Sequence, residues 1–205
     1  MDDLAAIASE IQACRACALW KGTTQAVPGE GSGESGIFFL GEAPGRSEDE
    51  QGRPFVGAAG QLLDEMLRGI GLDRTKVFIT NVVRHRPPGN RDPLPDEVTA
   101  CDMWLRRHLD ALRPRVLVTL GRYAMGKFFP GESISRIHGK PKMVGGVMVF
   151  PMFHPAAALR DGRLRPVLAA DFAALAIFLA TAPVADPQPA QPADQMTLFG
   201  SVKHG

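Results

Sequence analysis

Four short runs along the chain are dominated by apolar residues: Gly36-Ile-Phe-Phe-Leu-Gly41, Lys76-Val-Phe-Ile-Thr-Asn81, Arg115-Val-Leu-Val-Thr-Leu-Gly121 and Gly146-Val-Met-Val-Phe-Pro-Met-Phe153. Their apolar character is continuous rather than alternating, which predicts strands covered on both faces. Between them the spacing of apolar and polar positions predicts helices over 58–71, 94–112 and 121–129, with another over 166–181 closing the domain and a short one over 3–14 opening it. Strands that alternate with helices predict an α/β fold with a mainly parallel sheet sandwiched between helices. From about Ala182 the sequence turns to Ala, Pro, Gln and Asp, a composition too polar to build a core. The expected organisation is one domain over 1–181 and a disordered tail over 182–205.

In such sheets the chemistry gathers at the carboxyl ends of the strands. That rule selects Gly41-Glu42-Ala43-Pro44-Gly45, then Asn81 with His85, and His154-Pro155. Glu42 lies just past a strand, where a carboxylate can position water or stabilise a cation. Phe55 lies in a Gly/Pro-rich loop, off any periodic face, and offers a stacking surface; the alternative is an acidic solvated loop with one tucked aromatic ring. The Asn81 amide sets a donor beside an acceptor and can read a ring imide, although an Asn that merely ends a strand is the commoner case. His154, held by Pro155, can polarise an oxygen or serve a structural role. No G-x-G-x-x-G or P-loop pattern is present, which argues against dinucleotide and triphosphate ligands.

Charge changes the picture only locally. With 205 residues, 45% hydrophobic content and a formal net charge of +1, the chain has no global basic field. Arg84, His85, Arg86 and Arg91 nevertheless cluster among prolines, Arg160, Arg163 and Arg165 follow His154, and Lys140 and Lys142 flank a Gly-Pro turn. Loops of this kind on one sheet edge predict a phosphate-binding rim. The apolar stretch from Val167 to Val184 is broken by Asp171 and ends at Pro183, so it reads as a buried or amphipathic helix rather than a span. The Met-Asp-Asp-Leu start lacks the pattern of a signal peptide.

The three cysteines carry the sharpest hint of a metal. Cys14 and Cys17 are separated by two residues, and Cys101 follows 84 residues after Cys17. His85 is the candidate fourth ligand, and a Cys3His set suits zinc or an iron–sulfur cluster. A surface thiol pair with Cys101 as a small buried apolar residue is the plain alternative. The odd cysteine count argues for a reducing compartment.

Taken together, these pieces resemble a family 4 uracil-DNA glycosylase. The resemblance rests on Cys14-x-x-Cys17, Gly41-Glu-Ala-Pro-Gly45, Gly52-Arg-Pro-Phe-Val-Gly57 with Gly60-Gln-Leu-Leu63, Asn81-Val-Val-Arg with Arg86-Pro-Pro-x-Asn-Arg-x-Pro, Pro93-Leu-Pro-Asp-Glu-Val-x-x-Cys101 and His154-Pro-Ala. It spans residues 1 to about 181. It implies a three-layer α/β/α fold with a central four-stranded, mainly parallel sheet and a [4Fe-4S] cluster. Cys14, Cys17 and Cys101 match three cluster ligands, and His85 stands where the fourth cysteine is expected. The DNA-trapping relatives of this family also carry a His after a similar run, but they have an inserted basic loop with a reactive His before the last cysteine. Here fifteen residues separate His85 from Cys101, and Arg136-Ile-His138 comes later, so a turnover enzyme is expected.

The resemblance further implies roles. Phe55 stacks on a flipped uracil, and Asn81 bonds its N3 and O4. His154 and the Ala43 N–H stabilise charge on O2. Glu42, helped by Glu48, positions water and stabilises the sugar cation. Leu159 and Arg160 fill the gap in the helix, and Arg86 contacts DNA. In the tail, Gln195-Met-Thr-Leu198-Phe199 resembles the pentapeptide that binds the bacterial sliding clamp. A cytoplasmic, nucleoid-associated monomer without membrane attachment is expected. The rival readings are a redox-sensing iron–sulfur protein that binds nucleic acid without cutting it, and a zinc-stapled binding module.

Overall fold

The computed structural model describes residues 3–181. Helix α1 (Leu4–Gln12) leads through the Cys14–Cys17 segment to β1 (Ile37–Gly41), followed by α2 (Arg46–Gln51), α3 (Ala58–Gly69) and β2 (Phe78–Asn81). Then come α4 (Pro95–Leu112), β3 (Val116–Leu120), α5 (Arg122–Gly126), α6 (Ile134–Ile137), β4 (Lys142–Val144), β5 (Val147–Met152), α7 (Pro155–Arg160) and α8 (Leu164–Thr181). The sheet has five strands in the order β2-β1-β3-β5-β4. Four are parallel, and β4 pairs antiparallel with β5, Met143 facing Met148. The expected mainly parallel sheet is present with one strand more than the four foreseen. The addition is the three-residue edge strand β4, which starts at Lys142, the second of the two lysines beside Pro141 that read as part of a turn in the sequence.

The strands divide their side chains between two cores. Phe38, Leu40, Phe78 and Leu117 point to one face, where Ile7 and Ile11 of α1, Trp104 and Leu105 of α4 and Met125 of α5 cover them. Ile37, Phe39, Ile79 and Val118 point to the other, beneath Leu62 and Leu63 of α3 and Leu168, Phe172 and Leu175 of α8. Alternation along each strand thus closes an apolar layer above and below the sheet, which is why the runs are apolar throughout. Burying each such side chain contributes roughly 1.5–3 kcal/mol. Helix α8 is long and apolar enough to cross a membrane by length and composition, but it lays Leu168, Phe172 and Leu175 on the sheet and pairs Asp171 with His138 at 2.9 Å.

The chain runs from β1 outward to β2 and then returns to β3 on the other side of β1. The strand order therefore reverses between β1 and β3, and a crevice opens there at the carboxyl ends. Gly41, Asn81, Gly121 and His154 all stand at this edge.

Candidate active site

A cleft of about 270 Å³ lies at that edge, lined by Glu42, Ala43, Glu48, Phe55, Asn81 and His154, with Arg160 at its mouth. The expected site residues from three separate strand ends meet in it. Pro87, Asn90 and Arg91 also line it, from the loop after β2. Of these, Pro87 and Asn90 stand in the motif that begins at Arg86 but were not expected as site residues; Asn90 adopts the left-handed region at φ 54° and so marks a specially shaped turn.

Asn81 ends β2 and is 1% exposed. Its Oδ1 is buried without a hydrogen-bond partner, a condition native proteins seldom tolerate without a use. Opposite it on β1 is Gly41, where a Cβ would stand 2.4 Å from that oxygen and 2.5 Å from the Phe55 ring. Only glycine leaves room for both groups. Phe55 itself has φ 51°, a strained value for an aromatic residue. The strain is held from two sides. Its carbonyl packs against α3 at Gly60, where a Cβ would lie 1.8 Å away. The N–H groups of Val56 and Gly57 donate to Glu48 Oε1 at 2.8 and 2.9 Å. The other Glu48 oxygen accepts from the Gly45 N–H at 3.1 Å. Both Glu48 oxygens accept from backbone donors, so this carboxylate ties the two loops together at the edge of the cleft it lines. The acidic segment expected as a loop is in fact α2. Its Asp49 is buried and holds the Thr24 N–H and hydroxyl at 2.9 and 3.1 Å.

Glu42 follows β1 in a partly buried position. Burial raises its pKa, the nearby Asp92 adds to this, and Arg122 and Arg160 oppose it. His154 caps α7, and its Nδ1 accepts the Ala156 N–H at 3.1 Å. Burial, helped by the Arg160 charge, lowers its pKa to about 4, so near neutral pH the ring is uncharged. With Nδ1 accepting, its proton sits on Nε2. The six-residue α7 that begins at His154 ends with Leu159, 46% exposed, and with Arg160. One short helix therefore carries the imidazole at one end and an exposed apolar–cationic pair at the other.

The expected basic rim needs correction. Arg84 is wholly buried, as is His85, and neither can meet a phosphate. Arg91 is tied to buried Glu97 at 2.6 and 2.9 Å, Arg163 to Asp161 and Arg165 to Glu65. Arg86 is bound to Asn90 Oδ1 at 2.7 Å beside the cleft. A cluster of basic letters in sequence does not distinguish exposed cations from buried ones: Arg84 turns inward, whereas the Arg163–Asp161 and Arg165–Glu65 pairs lie at the surface.

The cysteines assemble beneath α4 on the α1 side of the sheet. Cys14 and Cys101 are buried in that core, with Cys17 packed against it. The Cys17 and Cys101 thiols are hydrogen-bonded to each other, which lowers the Cys17 pKa to about 6 and raises that of Cys101. Each sulfur has an N–H donor: Trp104 Nε1 to Cys14 at 3.4 Å, Leu19 to Cys17 and Arg84 to Cys101. N–H groups aimed at sulfur stabilise thiolate ligands, so the donor set fits a thiolate-bound centre. His85, with its pKa lowered by burial and then by Arg15, remains a neutral imidazole. Among the described residues, no three His, Cys, Asp or Glu side chains are grouped as they stand to hold a metal ion. Gln195, Leu198 and Phe199 lie outside the described residues.

Comparison with known proteins places this geometry in a family. The model of the uracil DNA glycosylase superfamily matches residues 28–175. A type-4 uracil-DNA glycosylase of Sulfurisphaera tokodaii is 50% identical over 182 residues, covering 84% of this chain and 83% of the relative. The type-4 enzyme of Saccharolobus solfataricus is 45% identical over 194 residues and 90% of each chain. A type-5 uracil-DNA glycosylase of Pyrobaculum aerophilum is 31% identical over 175 residues, 76% of this chain and 77% of the relative.

Proposed function

We propose that this chain, which belongs to the uracil-DNA glycosylase superfamily, removes uracil from DNA by hydrolysing its N-glycosidic bond, leaving free uracil and an abasic site. The base is turned out of the helix into the cleft, since the bond is out of reach within the duplex.

The observation that carries this reading is the unpaired Oδ1 of buried Asn81. An acceptor buried in this way costs about 1–3 kcal/mol until a donor reaches it. Uracil N3–H is such a donor, and the Asn81 amide N–H then meets O4. Cytosine offers an acceptor at N3 and an amine at C4, so both contacts become repulsive. Phe55 walls the ring plane. As the bond from C1′ to N1 breaks, its electron pair moves into the ring and charge builds on O2. The neutral His154 donates from Nε2 to that oxygen, joined by the Ala43 N–H, both preorganised before the charge appears. Glu42 holds the attacking water and stabilises the sugar cation; the water oxygen bonds C1′ as its proton passes to the Glu42 carboxylate and on to solvent, and the departing uracil anion takes a proton from solvent to give free uracil. Glu48 is a positioning residue for the Phe55 loop. Leu159 and Arg160 enter the space left by the base, and Arg86 contacts the strand beside Asn90.

Cys14, Cys17, Cys101 and His85 would hold a [4Fe-4S] cluster, supported by the N–H donors on the three sulfurs. When bound, the cluster supplies a rigid tie between the segment after α1, the loop after β2 and α4. The domain covers 1–181, and residues 182–205 form a tail in which Gln195, Leu198 and Phe199 engage the bacterial sliding clamp. The working form is a cytoplasmic, nucleoid-associated monomer.

The test is release of free uracil from a uracil-containing oligonucleotide, compared with the same oligonucleotide carrying cytosine. Uracil release with no cytosine release is expected. DNA binding without any base release would overturn the enzyme reading in favour of a binding protein.

A further inference from the structure

The largest wholly buried side chain in the described residues is a cation, Arg84. Its Nη1 donates to the Asn81 carbonyl, and its Nη2 lies 3.3 Å from His108 Nδ1. Burial lowers the His108 pKa to about 2, so that ring is neutral and Nδ1 can accept. The Arg84 main chain is fixed as well: its N–H faces the Cys101 sulfur and its carbonyl accepts the Val27 N–H at 2.8 Å. Among the described residues no carboxylate is hydrogen-bonded to the guanidinium, and its Nε has no partner. Burial works against its charge, and Cys101, Cys14 and the Asp102 carboxylate act in its favour without a hydrogen bond from Asp102. A buried arginine with no carboxylate bonded to it is expensive, and a methionine would fill much of this space more cheaply. The cation therefore has another use.

Its hydrogen bonds suggest which. The backbone at Asn81 is the last residue of β2, and beyond it Val82 and Val83 bond back to the Gly41 and Glu42 carbonyls at 2.9 and 3.2 Å. The Asn81 carbonyl is met by Arg84 Nη1. Anchoring that carbonyl fixes the rotation of the peptide and hence the direction of the amide that reads the base. We propose that Arg84 is a positioning residue that joins the thiol pocket to the base-reading amide of Asn81. It holds the Asn81 carbonyl with one amino group while its own backbone supports Cys101. The seating of the sulfur ligands is thereby transmitted to the pocket in which uracil is distinguished. The link to Asn81 rests on the uracil reading, and the link to the sulfurs rests on the cluster reading.

The experiment uses the full chain and Arg84→Met, Arg84→Leu, Arg84→Lys and Arg84→Gln. Free uracil as an inhibitor reports on the pocket without DNA, and iron content with visible absorption reports on the sulfur site. Arg84→Met should weaken inhibition by free uracil about tenfold or more, with kcat lowered and KM for DNA little changed, the scale of one misplaced buried hydrogen bond. Arg84→Lys, which keeps a donor for the carbonyl, should restore inhibition to within about threefold of the parent. If Arg84→Met does not fold, Arg84→Leu, which likewise offers no donor, is judged against the same threshold, and Arg84→Gln, whose amide can still donate to the carbonyl, is read with Arg84→Lys. Unchanged uracil inhibition in the folded variant without a donor overturns the inference, as does failure of Lys to rescue. A parent that releases uracil but contains no iron defeats the cluster reading alone, and the Arg84 effect on uracil inhibition still decides the link to Asn81. A parent with iron whose Arg84→Met variant inhibits normally defeats this inference and leaves the cluster reading standing.

Discussion

The Phe55 ring lies against the His154 imidazole, with centroids 5.5 Å apart and planes 26° from parallel. The aromatic wall of the cleft and the imidazole that caps α7 thus support each other. Strain in one is resisted by the other, since Phe55 is held at φ 51° and His154 is fixed by Ala156. The pocket is built before any base enters, which is what electrostatic catalysis requires.

Asn81→Asp should cut uracil release by about ten- to a hundredfold, the scale of a lost and partly inverted buried hydrogen-bond pair. Steady-state release from uracil and cytosine oligonucleotides checks this, and unchanged uracil kinetics would remove Asn81 from the pocket.

Glu42→Gln and His154→Ala should each slow the chemical step about a hundredfold or more while DNA affinity stays close to that of the parent, because both act on charge that exists only in the transition state. Single-turnover rates at saturating enzyme, beside a binding titration, separate the two effects. A variant that binds poorly but cleaves normally at saturation would refute its assigned role.

Acid should destabilise the fold through its buried histidines. The folded values are about 2 for His108 and about 4 for His154, against an ordinary 6.5. Above 6.5 both rings are neutral, folded or unfolded, and their contribution is complete. Below it the unfolded chain takes up protons that the folded chain refuses, so stability falls with pH, His154's share ending near pH 4 and His108's continuing towards 2. Denaturant midpoints measured across this range should fall less steeply in His108→Gln than in the parent. Equal slopes would contradict the assignment.

The purified protein should be brown and contain about four irons per chain, with His85→Cys keeping them and His85→Ala losing them. Elemental analysis and the visible spectrum decide this; zinc in a colourless preparation would eliminate the cluster.

Leu198→Ala combined with Phe199→Ala should abolish a micromolar interaction with the sliding clamp of the same organism, the strength expected of a short ligand that orders on binding. Calorimetry with the full chain measures it. Equal binding by the double variant, or none by the parent, would show that the tail is not a clamp ligand.

Much of this was legible in the sequence for a simple physical reason. Strands buried on both faces write continuous apolar runs, so β1, β2, β3 and β5 stood out, and the rule of strand carboxyl ends then selected Glu42, Asn81 and His154. Short elements were not legible. Helix α2 reads as an acidic loop because its stability comes from Glu48 and Asp49 bonding to distant backbone, and α7 is too brief to show a period. The fate of Arg84 was hidden for a similar reason. A basic residue in a Pro-rich loop looks solvated until the fold reveals that its side chain points down to His108.

The two borders of the sheet bear on how the protein behaves when crowded. A strand border with unpaired N–H and C=O groups is a template for another chain. Here one border ends in β4, only three residues long with Lys142 exposed. At the other, Glu30 bridges Ile79 of β2 through paired bonds of 2.8 and 2.9 Å. Both margins are blunted, one by brevity and charge and the other by the protein's own backbone. An enzyme of this build can be held at high concentration without its sheets joining edge to edge into fibrils.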